Sequence, residues 1–192
     1  MSEKLRSIFL SPHPDDAVLS CGGTIYLLAQ HDERPIVITL FGGDRPQAAP
    51  LSDFARGLHT RWQLTDNAPA ERREEDRAAL DRLHTFLISL PFADAIYRLD
   101  PVTRQYLYDS EESIFGPIRE ATIIDQVVET LRAKIAVIEN SGSSAQIFVP
   151  LAAGQHVDHV ITRAAAERLP QPLIYYEDFP YAEDGAKLEP VW

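Results

Sequence analysis

Two short apolar runs on either side of a helix-length segment, at the very start of the chain, restrict the fold more than any other feature. Ser7 to Ser11 (Ser-Ile-Phe-Leu-Ser) is a short apolar run halted by Pro12 and Pro14, the pattern of a buried strand that opens into a loop. Ala17 to Gln30 then sets Val18, Ile25, Leu28 and Ala29 at roughly helical spacing, with Gly22 and Gly23 weakening its start. Pro35 to Phe41 is a second such run, rich in β-branched residues, ended by Gly42-Gly43. Strand, helix and strand in this order predict a parallel βαβ unit.

The alternation continues. Glu71 to Phe86 predicts a helix with Ala79, Leu80, Leu83 and Phe86 on one face, and Leu87 to Leu90 a strand. Ile123 to Ile138 reads as a helix, Gln146 to Pro150 as a strand, Val157 to Leu169 as a helix and Leu173 to Tyr176 as the last strand. Asp44 to Pro69 lacks a sustained period and is expected to be a long loop over one end of the sheet, while Asp100 to Pro117 looks like an insertion carrying aromatic residues. The fold class is therefore α/β: a three-layer sandwich with a Rossmann-like, mostly parallel sheet and helices on both faces. At 192 residues, a single domain spanning 1–192 is expected.

Composition narrows the function. A formal net charge of −11 is opposite in sign to what phosphate neutralisation needs, which argues against nucleic acid and anionic membrane surfaces as partners. No run approaches the ~20 apolar residues of a membrane span, and the N-terminus is too short in apolar residues for a signal peptide, so the expected compartment is the cytoplasm. One cysteine, Cys21, makes neither an internal disulfide nor a thiolate zinc cluster, and it is expected to be a small buried residue. Any metal site must then use histidine and carboxylate. There are six histidines, of which His31, His59 and His84 read as solvated or packed.

The other three lie where ligands bind in such sheets, beyond the carboxyl ends of strands. His13-Pro14-Asp15-Asp16 follows the first strand, and His156-Val157-Asp158-His159 follows the Gln146 to Pro150 strand. Taken singly, each reads as well as a helix cap, since an aspartate there accepts hydrogen bonds from free N–H groups. Jointly, at matching ends of two strands, they point to a metal. A catalytic zinc needs three protein ligands and one open position, and His13, Asp16 and one histidine of the second pair suffice. The chain has no Gly-x-Gly-x-x-Gly after its first strand, no Gly-x-x-x-x-Gly-Lys loop, no Gly-x-Ser-x-Gly elbow and no His-Glu-x-x-His helix, so the common nucleotide, serine hydrolase and zincin signatures are missing.

Ser11-Pro12-His13-Pro14-Asp15-Asp16 paired with Gly154-Gln155-His156-Val157-Asp158-His159 resembles the GlcNAc-phosphatidylinositol de-N-acetylase family, also called PIG-L or LmbE-like. Weaker matches are Arg72-Arg73-Glu74-Glu75 and Tyr175-Tyr176-Glu177-Asp178-Phe179-Pro180-Tyr181. The resemblance implies His13, Asp16 and His159 as zinc ligands, Asp15 as general base, and a protonated His156 that stabilises the oxyanion and is held in orientation by Asp158. It implies a zinc-dependent hydrolase that removes an N-acetyl group from an amino sugar or glycoconjugate, zinc being replaceable by another divalent metal. Two departures stand out: Ala17 replaces the glutamate that usually follows the two aspartates, and family members usually run some tens of residues beyond the tyrosine segment, so part of the usual C-terminal structure is expected to be missing. These departures keep two alternatives open, a catalytically weak metal- or glycan-binding member and a hydrolase of a non-sugar amide. Arg72, Arg73 and Arg98 are candidate contacts to a substrate phosphate or carboxylate, with solvated helix charges as the competing reading. The partner is a small N-acetylated molecule; oligomeric state is not legible.

Overall fold

The central strand of the sheet is the first one in the chain. The computed structural model describes residues 4–31, 34–46, 50–140 and 142–183. In chain order it contains β1 (Lys4–Ser11), α1 (Asp16–Gln30), β2 (Ile36–Thr39), α2 (Asp53–Trp62), α3 (Ala68–Arg82), β3 (Phe86–Ser89), α4 (Glu111–Ile114), α5 (Ile123–Glu139), β4 (Ser143–Pro150), α6 (Val157–Ala166) and β5 (Leu173–Tyr176). The five strands lie in the order β3-β2-β1-β4-β5, and every pairing is parallel.

Strand periodicity assigns the helices to faces. Ile8 and Leu10 of β1 pack with Ile36 and Ile38 of β2 against Val127, Leu131 and Ile135 of α5 and Ile161 and Ala165 of α6. Phe9 and Val37, between them in sequence, point the other way and meet Ala17, Cys21 and Ile25 of α1 and Leu80 of α3. Successive strand residues face opposite sides, so a strand buried on both reads as one continuous apolar run. Ile8, Phe9 and Leu10 are all fully buried, and each such side chain contributes roughly 1.5–3 kcal/mol. The three-layer α/β sandwich follows. A third cluster joins Ala55 and Leu58 of α2 to Ile96, Tyr97, Tyr108, Ile114 and Val157, and roofs the carboxyl end of the sheet.

Topology then locates a crevice. The chain steps outward from β1 to β2 and β3, then returns to lay β4 on the opposite flank of β1. The loops leaving β1 and β4 diverge at this switch point, which is where open α/β sheets bind ligands.

Three expectations are corrected. The span 44–69 is not loop throughout: α2 occupies 53–62, capped by Ser52, whose Oγ accepts the Ala55 N–H at 3.0 Å, and ended by Gln63 in the left-handed region. Residues 47–49 of that span lie outside the described residues. The helix expected over 71–86 starts earlier, at Ala68 with Pro69 in its first turn, and stops at Arg82. His84 takes φ 54°, and Phe86 opens β3 by pairing with Ile36; sheet pairing overrides the helical spacing of Leu83 and Phe86. No helix among the described residues is long and apolar enough to cross a membrane.

Candidate metal centre

The loop leaving β1 is tied down by its own side chains. Ser11 Oγ donates to the His13 carbonyl at 2.7 Å and accepts the Ala17 N–H at 3.0 Å, while Asp16 Oδ2 accepts the His13 N–H at 2.8 Å. Asp15 sits at the cap position of α1 with φ 98°, yet its carboxylate caps nothing. Such backbone strain in a non-glycine residue costs of order 1–3 kcal/mol and persists only where the surroundings enforce it. Here Asp76 enforces it: one carboxylate oxygen accepts the Asp15 N–H at 3.3 Å and the other the Thr39 hydroxyl at 2.9 Å. The Asp15 side chain, 56% exposed, is left facing a cavity of about 330 Å³ that His13, Asp16, His156 and His159 also line.

Across the crevice, His156 is the N-cap of α6, and its Nδ1 accepts the Asp158 N–H at 3.2 Å. An amide is always the donor in such a pair, so the proton of neutral His156 resides on Nε2. Burial above all, then the neighbouring His13, holds the His156 imidazolium down to about 3. The expected protonated His156 is therefore replaced by a neutral ring with an Nε2–H donor.

Asp158 meets His156 through its backbone N–H, and its carboxylate is turned elsewhere. That carboxylate is fully buried and faces His13 Nε2 at 3.0 Å, Arg98 Nη1 at 2.7 Å and the Ala95 N–H at 2.9 Å. Burial alone would raise the Asp158 pKa, but Arg98 and His13 hold it well below the usual carboxylate range. Asp178 does the same for the second ring: its Oδ2 lies 2.8 Å from His159 Nδ1, and its Oδ1 accepts the Ala153 N–H.

With their outer nitrogens held, the two rings turn the other nitrogens inward. His13 Nδ1 and His159 Nε2 each lie 3.3 Å from the same atom, Asp16 Oδ2. Imidazoles fixed from behind by carboxylates are the recurrent arrangement of metal-binding histidines. Side-chain atoms of His13, His156 and His159 also fall within 4.8 Å of one another, as do those of His13, Asp94 and Asp158. Burial pulls the pKa of both inward-facing rings down, but Asp94, Asp158 and Asp16 raise His13 well above its ordinary value, and Asp16 and Asp178 raise His159 to about 9. The carboxylates outnumber the fixed cations, so the donor set favours a cation, whether two protons or one metal ion. The residues present fit a divalent metal.

The candidate substrate arginines separate. Arg72 lines the cavity, 3.3 Å from Asp94 and 3.7 Å from Asp15, with its guanidinium over the Trp62 ring. Arg73 is held by the Gly42 carbonyl and Asp44, both at 2.7 Å, and does not line the cavity. Arg98 is buried behind the site, paired with Asp158 and with Glu120 at 2.5 Å, and is likewise not a wall of that cavity. Ala17 packs in the core beside Phe9 and Cys21 and does not line the cavity. His59 is buried with Nε2 2.6 Å from the Tyr97 hydroxyl, and burial pushes the Cys21 thiol up to about 12.

Asp94, Asp76 and Asp178 escaped the sequence reading as site residues. Asp94 and Asp178 do carry a signal, since each lies a few residues past the carboxyl end of a strand, β3 and β5 respectively.

Comparison with known proteins identifies the family. The profile of PIG-L, described as GlcNAc-PI de-N-acetylase, matches residues 8–169. The chain is 29% identical to the 2'-N-acetylparomamine deacetylase of Niallia circulans, covering 93% of this chain and 68% of that protein. It is 31% identical to the protein of the same name in Streptomyces fradiae, covering 92% of this chain and 58% of that one. Among solved structures, a deacetylase in complex with teicoplanin from the teicoplanin biosynthesis pathway matches with TM-score 0.78 and 31% identity over 93% of this chain and 72% of that one. The zinc-inhibited form of a teicoplanin deacetylase matches with TM-score 0.76 and 33% identity over 92% and 69%. The chain thus spans between 58% and 68% of the length of these two curated relatives. With the two histidine motifs inside the matched span, the chain belongs to the PIG-L (GlcNAc-PI de-N-acetylase) family.

Proposed function

We propose that this chain is a metal-dependent N-deacetylase that hydrolyses the acetamide of an N-acetylated amino sugar or glycoconjugate, with zinc as the metal. One observation carries the reading: His13 Nδ1 and His159 Nε2 converge on Asp16 Oδ2 while Asp158 and Asp178 hold the rings from behind. His13, Asp16 and His159 would hold the ion. When bound, zinc supplies hydroxide at neutral pH, by lowering the pKa of water from 15.7 to about 7, and polarises the acetyl carbonyl.

The chain's own residues divide the remaining work. Asp15, at the cavity lip, is pushed up to about 6 by the protein surrounding it, against the pull of Arg72. A carboxylate of that pKa takes the proton of the attacking water and returns it to the leaving nitrogen, a role worth about 10²–10⁴-fold. The water oxygen bonds to the acetyl carbon, the carbon–nitrogen bond breaks, and acetate and the free amine leave. His156 offers its Nε2–H to the oxygen that gains negative charge. Arg72 is positioned to bind a sugar hydroxyl or an anionic group and to keep Asp15 oriented. One buried cysteine offers nothing for a disulfide framework, which supports a cytoplasmic location.

The test is acetate release from a panel of N-acetyl amino sugars, extended to N-acyl amino acids, beside metal analysis. Turnover confined to the sugars, abolished by chelation and restored by zinc, is the expected result. His159→Ala should lose the metal, and Asp15→Asn should keep it and lose turnover. Stoichiometric metal with no acetate released from any member would favour a binding module, and release from the amino acids alone a non-sugar amidase.

A further inference from the structure

Gly154 lies two residues before His156, and its φ falls outside the left-handed region, so the backbone there does not require glycine. Space does. A Cβ at Gly154 would stand 2.2 Å from Cδ1, 2.4 Å from Cγ and 2.8 Å from Cε1 of the Tyr181 ring. Carbon atoms do not approach that closely, so any side chain at 154 evicts the ring. Tyr181 follows the segment after β5, and its ring stands edge-on to His159 at 5.4 Å and 89°. Phe115 braces it from the side at 6.0 Å, and the same phenylalanine braces His156 at 5.6 Å. Tyr181 lines the metal-site cavity together with both histidines.

We propose that Tyr181 is a further catalytic residue of this site: its phenol hydroxyl donates a hydrogen bond to the N-acetyl group, beside the Nε2–H of His156, from a seat that Gly154 leaves open. This rests on the deacetylase reading above. Tyr181 shares the cavity with Asp15, Asp16 and Asp94, and a phenol, whose ordinary pKa is about 10, is protonated at neutral pH. A phenol held neutral among carboxylates is a donor, and the atom that gains negative charge during amide hydrolysis is the acetyl oxygen. A phenylalanine at 181 would keep the edge-on contact with His159 and the seat over Gly154 and lack only the donor.

The experiment uses the zinc-loaded full chain with Tyr181→Phe, Gly154→Ala and the double variant. Losing one preorganised donor costs about 10²–10³ in kcat at the upper end, so Tyr181→Phe should lower kcat on N-acetylglucosamine about 10- to 100-fold with unchanged zinc content and thermal midpoint. Gly154→Ala should reproduce that loss by displacing the ring, and the double variant should fall no lower than the poorer single one. A Tyr181→Phe protein within about twofold of wild type overturns the proposal and leaves the tyrosine a packing residue. Should Gly154→Ala fail to fold, Tyr181→Phe alone decides. Should the wild type release no acetate, the deacetylase reading fails separately, and calorimetric titration with acetohydroxamate decides the role of Tyr181: about tenfold weaker binding in Tyr181→Phe supports it. Equal affinity, or no binding by either protein, overturns it.

Discussion

Replacing Arg98 by methionine separates two roles for a residue that looks, in sequence, like a surface contact for substrate. The side chain is 9% exposed, and its partner Asp158 is fully buried. Methionine keeps much of the stem's volume and removes the charge. The Asp158 carboxylate would then face only His13 and the Ala95 N–H, and Glu120 would lose its partner at 2.5 Å. Removing one member of a buried ion pair typically costs about 3–5 kcal/mol, because the other charge is left uncompensated. For a chain of this size each kcal/mol moves the midpoint by about 2–4 °C, so Arg98→Met should lower Tm by about 6–20 °C. Arg98→Met with Asp158→Asn should recover part of the loss, since the orphaned charge is gone. Circular dichroism melts of metal-free and zinc-loaded protein read the effect. A midpoint within about 2 °C of wild type, smaller than 1 kcal/mol would produce, joined to a several-fold rise in KM, would refute the buried-pair assignment and return Arg98 to the substrate.

Three further outcomes are expected. Asp15 must be ionised to accept a proton, so kcat/KM should fall with decreasing pH on an acid limb that lies below the value of about 6 Asp15 takes without metal, because a neighbouring dication favours the carboxylate, and Asp15→Asn should abolish that limb while lowering turnover about 10²–10⁴-fold at unchanged zinc content. In the metal-free protein, burial acts against the His159 imidazolium but Asp16 and Asp178 raise it to about 9. A raised histidine stabilises the fold fully below its unfolded value of about 6.5 and loses that contribution as pH climbs through the folded value, so urea midpoints should drop between pH 6.5 and 9; a flat profile would contradict the Asp16 and Asp178 contacts. Gly43→Ala should destabilise by about 1–3 kcal/mol in urea titrations, because the new Cβ would lie 2.3 Å from the Pro91 carbonyl oxygen and 2.8 Å from that of Phe92, both backbone atoms.

What was legible in the sequence shares one property: it is local. Ile8-Phe9-Leu10 and Ile147-Phe148-Val149 announce buried strands without reference to anything distant, and the histidine motifs follow those strands directly. The helix over 53–62 is not legible because its buried face consists of Ala55, Leu58 and His59, too few and too polar to register as a period against the prolines around it. Leu83 and Phe86 keep helical spacing, which draws Phe86 toward the preceding helix; the pairing with Ile36 that claims it for β3 comes from a strand 50 residues earlier.

The supporting carboxylates fail that locality test for a physical reason. A histidine's outer nitrogen needs an acceptor, and any buried carboxylate that tertiary structure brings within about 3 Å will serve. Sequence proximity suggests Asp158 for His156, its neighbour two positions away. The turn that makes His156 an N-cap instead gives that ring the Asp158 amide, and frees the Asp158 carboxylate for His13, 145 residues distant. Asp178 reaches His159 by the same logic from beyond β5. The ligands can be read from a motif because strand ends fix where they emerge. Their supports cannot, because packing of α6 against the loop after β1 decides which carboxylate stands behind which ring. That asymmetry also hides the buried pairing of Arg98 from the sequence: its partners lie 22 and 60 positions onward, at Glu120 and Asp158, and only the folded chain brings the three together.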